Sequence, residues 1–184
     1  MKSTDLISVF CRPVPFWSWN DKLEPDELRR QIGAMQDAGM GGFFMHARGG
    51  LETEYLSEDW FRAVEASVDE AKKRGMQAWC YDENGWPSGF ADGKIVQKHP
   101  EYRLRWLECY PADAMPDGAE PLAFYKAEKG GCKRGPTKDK ARFAVCVRTS
   151  PDYVDILDDE TTDCFIEEVY ETYRNRYKNS IRGF

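Results

Sequence analysis

Apolar positions in the first 85 residues switch between two spacings. Residues 16–19, Phe-Trp-Ser-Trp, read as a short strand ending at Asn20-Asp21. Leu28, Ile32 and Met35 then fall at helical spacing and mark one buried face. Pro25 suits the first helical turn, where its missing N–H leaves no bond unmade, and the neighbouring acids face the positive end of the dipole. Gly39 is placed to end that helix. Residues 41–46 return to a strand pattern, and the polar stretch 47–55 reads as a loop. Ser57 caps a second helix, Leu56 and Phe61 are spaced as a hydrophobic staple, and Phe61, Val64, Val68 and Ala71 form its stripe. Gly75 ends it, and residues 76–81 make a third strand. Gly39-Met40 and Gly75-Met76 recur 36 residues apart, each leading from helix to strand. The pattern is β-α-β-α-β, and right-handed crossovers make its strands parallel.

The rest of the chain has another rhythm. Residues 104–110, 122–127, 141–148 and 153–157 are strand candidates rich in aromatic and β-branched side chains. Turn-rich pieces at 111–121 and 129–140 separate them. This predicts an antiparallel β insertion after the third strand. A helix follows, capped by Asp158, with Phe165, Val169 and Thr172 or Tyr173 on one face. Residues 180–184 resemble the start of a fourth parallel strand. The expected division is 1–102 for three β/α units, 103–152 for the insertion and 153–184 for the helix and fourth strand.

A β/α barrel needs eight strands and about 250 residues. The chain has 184, so it is expected to be the N-terminal half of a (β/α)8 TIM-type barrel, truncated from a larger enzyme. Aromatic residues make up 14%, which argues for a packed core despite 32% charged residues. No run approaches a membrane span, and the start of the chain lacks a signal peptide's apolar core. The net charge of −6 disfavours nucleic acid. The basic run Lys133, Arg134, Lys138, Lys140 and Arg142 reads as a solvated loop. None of the six cysteines forms a Cys-x-x-Cys pair, so no metal site and no cofactor are expected. Cys80, Cys109 and Cys146 sit in strand-like runs, and reduced thiols in a cytoplasmic protein are the reading.

Functional residues of parallel α/β units gather at the C-terminal ends of the strands. Here those ends deliver Asn20, then His46 and Arg48, then Tyr81, Asp82, Glu83, Trp86 and Ser88. Asp82 and Glu83 are the catalytic candidates, because tuned carboxylates do acid and base work. Adjacent residues of a strand point in opposite directions, so only one need face the pocket. Asn20, His46, Arg48, Tyr81, Trp86 and Ser88 are the substrate-binding candidates. Trp86 is on a loop, where a flat ring suits stacking on a sugar face. His99, next to Pro100, reads as structural.

The runs Pro15-Phe16-Trp17-Ser18-Trp19-Asn20, residues 39–51 (from Gly39-Met40-Gly41-Gly42 through His46-Ala47-Arg48 to Leu51) and Tyr81-Asp82-Glu83-Asn84-Gly85-Trp86-Pro87-Ser88-Gly89 resemble bacterial glycoside hydrolases related to the α-L-rhamnosidase family 106. Residues 153–157 before a helix match as well. The family pattern ends in Ala-Gly-Gly, where this chain has Ala91-Asp92-Gly93. The resemblance implies a barrel acting on a plant or bacterial glycan by acid-base hydrolysis, with a catalytic acidic segment beyond the fourth strand. Hydrolysis needs two carboxylates across the scissile bond, so the isolated chain is expected to be inactive. The alternatives are a non-catalytic carbohydrate-binding protein and a homodimer of half-barrels joined through the exposed strand edge. Rhamnoside, another deoxy sugar and a uronic acid all remain open as the carbohydrate.

Overall fold

The computed structural model describes residues 8–135 and 137–184. The expectation for the extreme start of the chain, residues 1–7, lies outside the described residues, and so does Pro136 of the turn-rich piece. Among the described residues no helix is long and apolar enough to cross a membrane.

The chain is a mixed α/β protein with two sheets. Strands β1 (Phe16–Trp19), β2 (Gly42–Ala47) and β3 (Gln77–Asn84) form a parallel sheet in the order β1-β2-β3. Helices α1 (Pro25–Asp37) and α2 (Glu58–Arg74) connect them. Alternation assigns the two faces. Trp17, Trp19, Phe43, Met45, Ala78 and Cys80 point to one side, where they join Leu28 and Ile32 of α1 and Trp60, Val64 and Val68 of α2 in the core. The aromatic members meet edge to face, with Trp19 and Trp60 centroids 5.0 Å apart. Trp17 also donates its indole N–H to Gln31 at 2.8 Å.

Both helices close as the sequence predicts. The Gly39 amide donates to Gln36 and that of Met40 to Met35. The Gly75 amide donates to Lys72 and that of Met76 to Ala71. Each glycine has a positive φ, +88° and +65°, and the paired bonds satisfy the last carbonyls of the helix. The Ser57 hydroxyl accepts from the Trp60 amide at the start of α2, a cap of about 1 kcal/mol.

The opposite face of the sheet carries Phe16, Phe44, His46, Trp79 and Tyr81. Their rings form a chain of contacts, 5.1 Å from Phe16 to Phe44 and 5.4 Å from Phe44 to Trp79. Phe16 remains 64% exposed.

The second sheet holds β4 (Arg103–Pro111), β5 (Glu120–Glu128), β6 (Gly131–Gly135) and β7 (Phe143–Val154), antiparallel in the order β4-β7-β5-β6. Three expectations need correction here. Residues 141–148 and 153–157 are not two strands, because β7 runs unbroken through Ser150-Pro151. Part of the turn-rich piece at 129–140 is β6, paired to β5 through the Lys129-Gly130 turn. Lys133 and Arg134 of the basic run therefore lie on a strand. Cys109 is exposed on β4, whereas Cys80 and Cys146 are buried. A short helix α3 (Lys94–Lys98), absent from the sequence reading, precedes β4 and ends at His99, whose ring stacks on Tyr102 at 4.9 Å.

The last helix is continuous but not uniform. It runs as α4 (Asp159–Phe165), a π-helical stretch (Ile166–Glu171) and α5 (Thr172–Tyr177). Asp158 caps it, and Phe165, Val169 and Tyr173 are its buried stripe. Residues 181–184 follow β3 in the same direction without the regular bonding of a strand. The Arg182 amide donates to Ala78, and the Cys80 amide donates to Gly183.

Candidate functional site

The parallel register breaks where the chemistry gathers. Met45 pairs with Cys80 and Ala47 with Asn84, so one residue on β2 faces three on β3. The extra length falls on Tyr81, Asp82 and Glu83. Such irregularities re-aim side chains and are common beside functional sites.

The two carboxylates separate completely. Glu83 is fully buried. Its Oε1 accepts from the amides of Asn84 and Asp92, and its Oε2 from those of Gly89, Phe90 and Ala91. One side chain thus satisfies five backbone donors of the 84–92 loop. Ala91 and Asp92 have φ of +50° and +56°, a cost to non-glycine residues that these bonds offset. Burial pushes the Glu83 carboxyl up from its ordinary range, and the amides of Asn84, Ala91, Asp92 and Phe90 pull it back.

Asp82 faces a cavity of about 680 Å³. Its Oδ2 accepts from the Ser88 hydroxyl at 2.8 Å and from the Tyr170 hydroxyl at 2.7 Å. The Ser88 carbonyl in turn accepts from the Tyr153 hydroxyl at 2.9 Å. The walls are largely apolar, built by Phe165, Ile166, Tyr170, Ile181 and Phe184. Burial raises the Tyr170 phenol well above its ordinary value, helped by the bond to Asp82, so this hydroxyl keeps its proton and donates.

Outside the cavity lining, His46 and Tyr81 pack ring against ring, centroids 4.0 Å apart. His46 is 7% exposed, and its Nε2 has no hydrogen-bond partner among the described residues. Burial lowers its pKa, the charge of Arg48 lowers it further, and Asp82 opposes them. The imidazole is therefore neutral at pH 7. Burial and the charge of Asp82 raise the Tyr81 phenol.

Of the candidates named from sequence, Asp82 and Ser88 line the cavity, whereas His46, Arg48 and Tyr81 lie outside its lining, near enough for the charges of Arg48 and Asp82 to act on His46. Asn20 is exposed at the end of β1, two strands from Asp82. Trp86 is 78% exposed at the tip of its loop, before a cis bond to Pro87. Sequence reasoning missed Tyr170. The signal was weak, because helical spacing put Val169 and Tyr173 on the buried stripe and left Tyr170 beside it.

No family model matches the chain, and no curated protein matches it. Among solved structures it is similar to a rhamnosidase from Novosphingobium sp. PP1Y, with a TM-score of 0.46 and 18% identity over 69% of this chain. The chain spans 12% of that protein's length.

Proposed function

We propose that this chain carries one side of a carbohydrate site of the glycoside hydrolase type, on the first β/α units of a barrel. The observation that carries the reading is Asp82, a carboxylate at the C-terminal end of a parallel strand, anchored through one oxygen and facing a cavity. Carboxylates in that position accept sugar hydroxyls or act in acid-base chemistry. The resemblance of residues 15–20, 39–51 and 81–89 to rhamnosidase-type hydrolases supports the same reading. In it, the sugar meets Asp82, which Ser88 orients, and His46, Arg48 and Tyr81 stand outside the cavity lining. Glu83 shapes the loop and takes no part in the reaction.

Hydrolysis needs a second carboxylate across the scissile bond. Among the described residues Glu171 is the only other acid lining the cavity, and Arg174 engages both its oxygens at 2.9 and 3.2 Å. The 184-residue chain is therefore expected to bind a glycoside without turning it over. The test is calorimetric titration with methyl α-L-rhamnoside, alongside a panel of 4-nitrophenyl glycosides. Binding at about millimolar Kd, lost in Asp82→Asn, with no nitrophenol release, is the expected result. No binding to any sugar of the panel, or steady turnover by this chain alone, overturns the reading.

A further inference from the structure

The two donors on Asp82 converge on a single oxygen. Tyr170 and Ser88 both address Oδ2, and Oδ1 accepts from none of the described residues. A carboxylate offers about four acceptor positions. One end is therefore used inside the protein and the other is left for what enters the cavity.

Tyr170 reaches Asp82 across 88 residues of chain, and its helix is deformed where it does so. In a regular α-helix Tyr170 would follow Val169 by about 100° around the axis. The π-helical stretch, Ile166–Glu171, widens the turn. More residues per turn means a smaller angular step, so Tyr170 stays nearer the buried stripe. Its ring is held between Phe165 at 5.9 Å and Phe184 at 4.5 Å. Single π-helical turns within α-helices are frequent at functional sites.

We propose that Tyr170 is the positioning residue of this site: aimed by the π-helical stretch, its hydroxyl fixes Asp82 with Oδ2 occupied and Oδ1 presented to the ligand as an acceptor. The inference rests on the reading of Asp82 as the ligand-facing carboxylate. It adds a selectivity. A fixed acceptor takes a hydroxyl donor and meets a ligand carboxylate with like charge. At Oδ1 itself a sugar hydroxyl is the match, while Arg174 and Lys178 on the same lining leave a carboxylate elsewhere on the sugar open.

The test uses the 184-residue chain with tyrosines labelled at 13Cζ, and Tyr170→Phe identifies the Tyr170 resonance. The carbon shift reports the hydroxyl's hydrogen-bond partner, a carboxylate in the wild type and an amide in Asp82→Asn. The Tyr170 resonance is expected to move in that variant. In parallel, Tyr170→Phe is expected to weaken methyl α-L-rhamnoside binding about 10-fold. A Tyr170 resonance unmoved by Asp82→Asn overturns the positioning role. Equal rhamnoside affinity in wild type and Tyr170→Phe overturns it too. If the resonance moves in Asp82→Asn while the rhamnoside does not bind, the contact stands and the carbohydrate reading falls.

Discussion

The Trp60 indole N–H donates to the Tyr173 hydroxyl at 2.7 Å, with both side chains buried and 113 residues apart in sequence. This bond ties α2 to the last helix at the centre of the core. Tyr173→Phe keeps the ring and removes the acceptor, leaving the indole N–H buried and unpaired. That costs about 1–3 kcal/mol. Urea unfolding monitored by tryptophan fluorescence measures it, and an unchanged midpoint would show that the bond adds nothing.

Glu83 presents another form of polar accounting. Glu83→Gln keeps the shape but turns one acceptor oxygen into an NH2 facing amide donors. We expect a loss of about 1–3 kcal/mol, concentrated in the loop. Hydrogen exchange of the Gly89, Phe90, Ala91 and Asp92 amides should quicken more than that of β2. Uniform quickening across the sheet would contradict a local role.

His46 predicts the acid side of the stability profile. Its folded pKa lies below the ordinary 6.5, so below about pH 6.5 the unfolded chain takes up a proton that the folded one refuses. Stability contributed by the neutral imidazole is therefore intact above that pH and declines as pH falls through the unfolded value toward the folded one. The slope from this proton is at most about 1.4 kcal/mol per pH unit. His46→Gln should flatten the melting-temperature profile between pH 6.5 and 5. An equal slope in both proteins would remove His46 as its source.

Two glycines of the same region should respond oppositely to alanine. A Cβ at Gly42 would collide with the Gln77 carbonyl on the neighbouring strand, whereas nothing lies within 4 Å of one at Gly49. Gly42→Ala should cost about 1–3 kcal/mol or prevent folding. Gly49→Ala should stay within about 0.5 kcal/mol. Thermal melts of the pair decide it, and a neutral Gly42→Ala would show that the strands can separate there.

The β-α-β-α-β frame was legible because its signals are local. Pro25 starts one helix, Gly39 and Gly75 end two, and Trp17, Trp19 and Phe43 alternate onto one face. The second sheet was legible in outline only. Gly131–Gly135 carries too few apolar residues to announce a strand and is one only because β5 pairs with it. At the site, the end of β3 stood out from sequence, but the division of labour between Asp82 and Glu83 did not. That division depends on a break in register and on a loop folding back over Glu83. Tyr170 was hidden for the same reason: it enters the site through a local change of helix type, and no periodicity encodes that.

The second sheet leaves the frame at Arg103 and returns at Val154, residues that pair with each other, and the Asp155 amide donates to the Tyr102 carbonyl at 2.8 Å just outside them. Its entrance and exit are thus already stitched together. The contacts the site draws from this region, Tyr153 to the Ser88 carbonyl and to the ring of Phe90, lie at that seam rather than out in the sheet. Four strands hang from one doorway, so the sheet can be shortened, exchanged or excised behind a tight turn while the architecture around Asp82 keeps its anchorage.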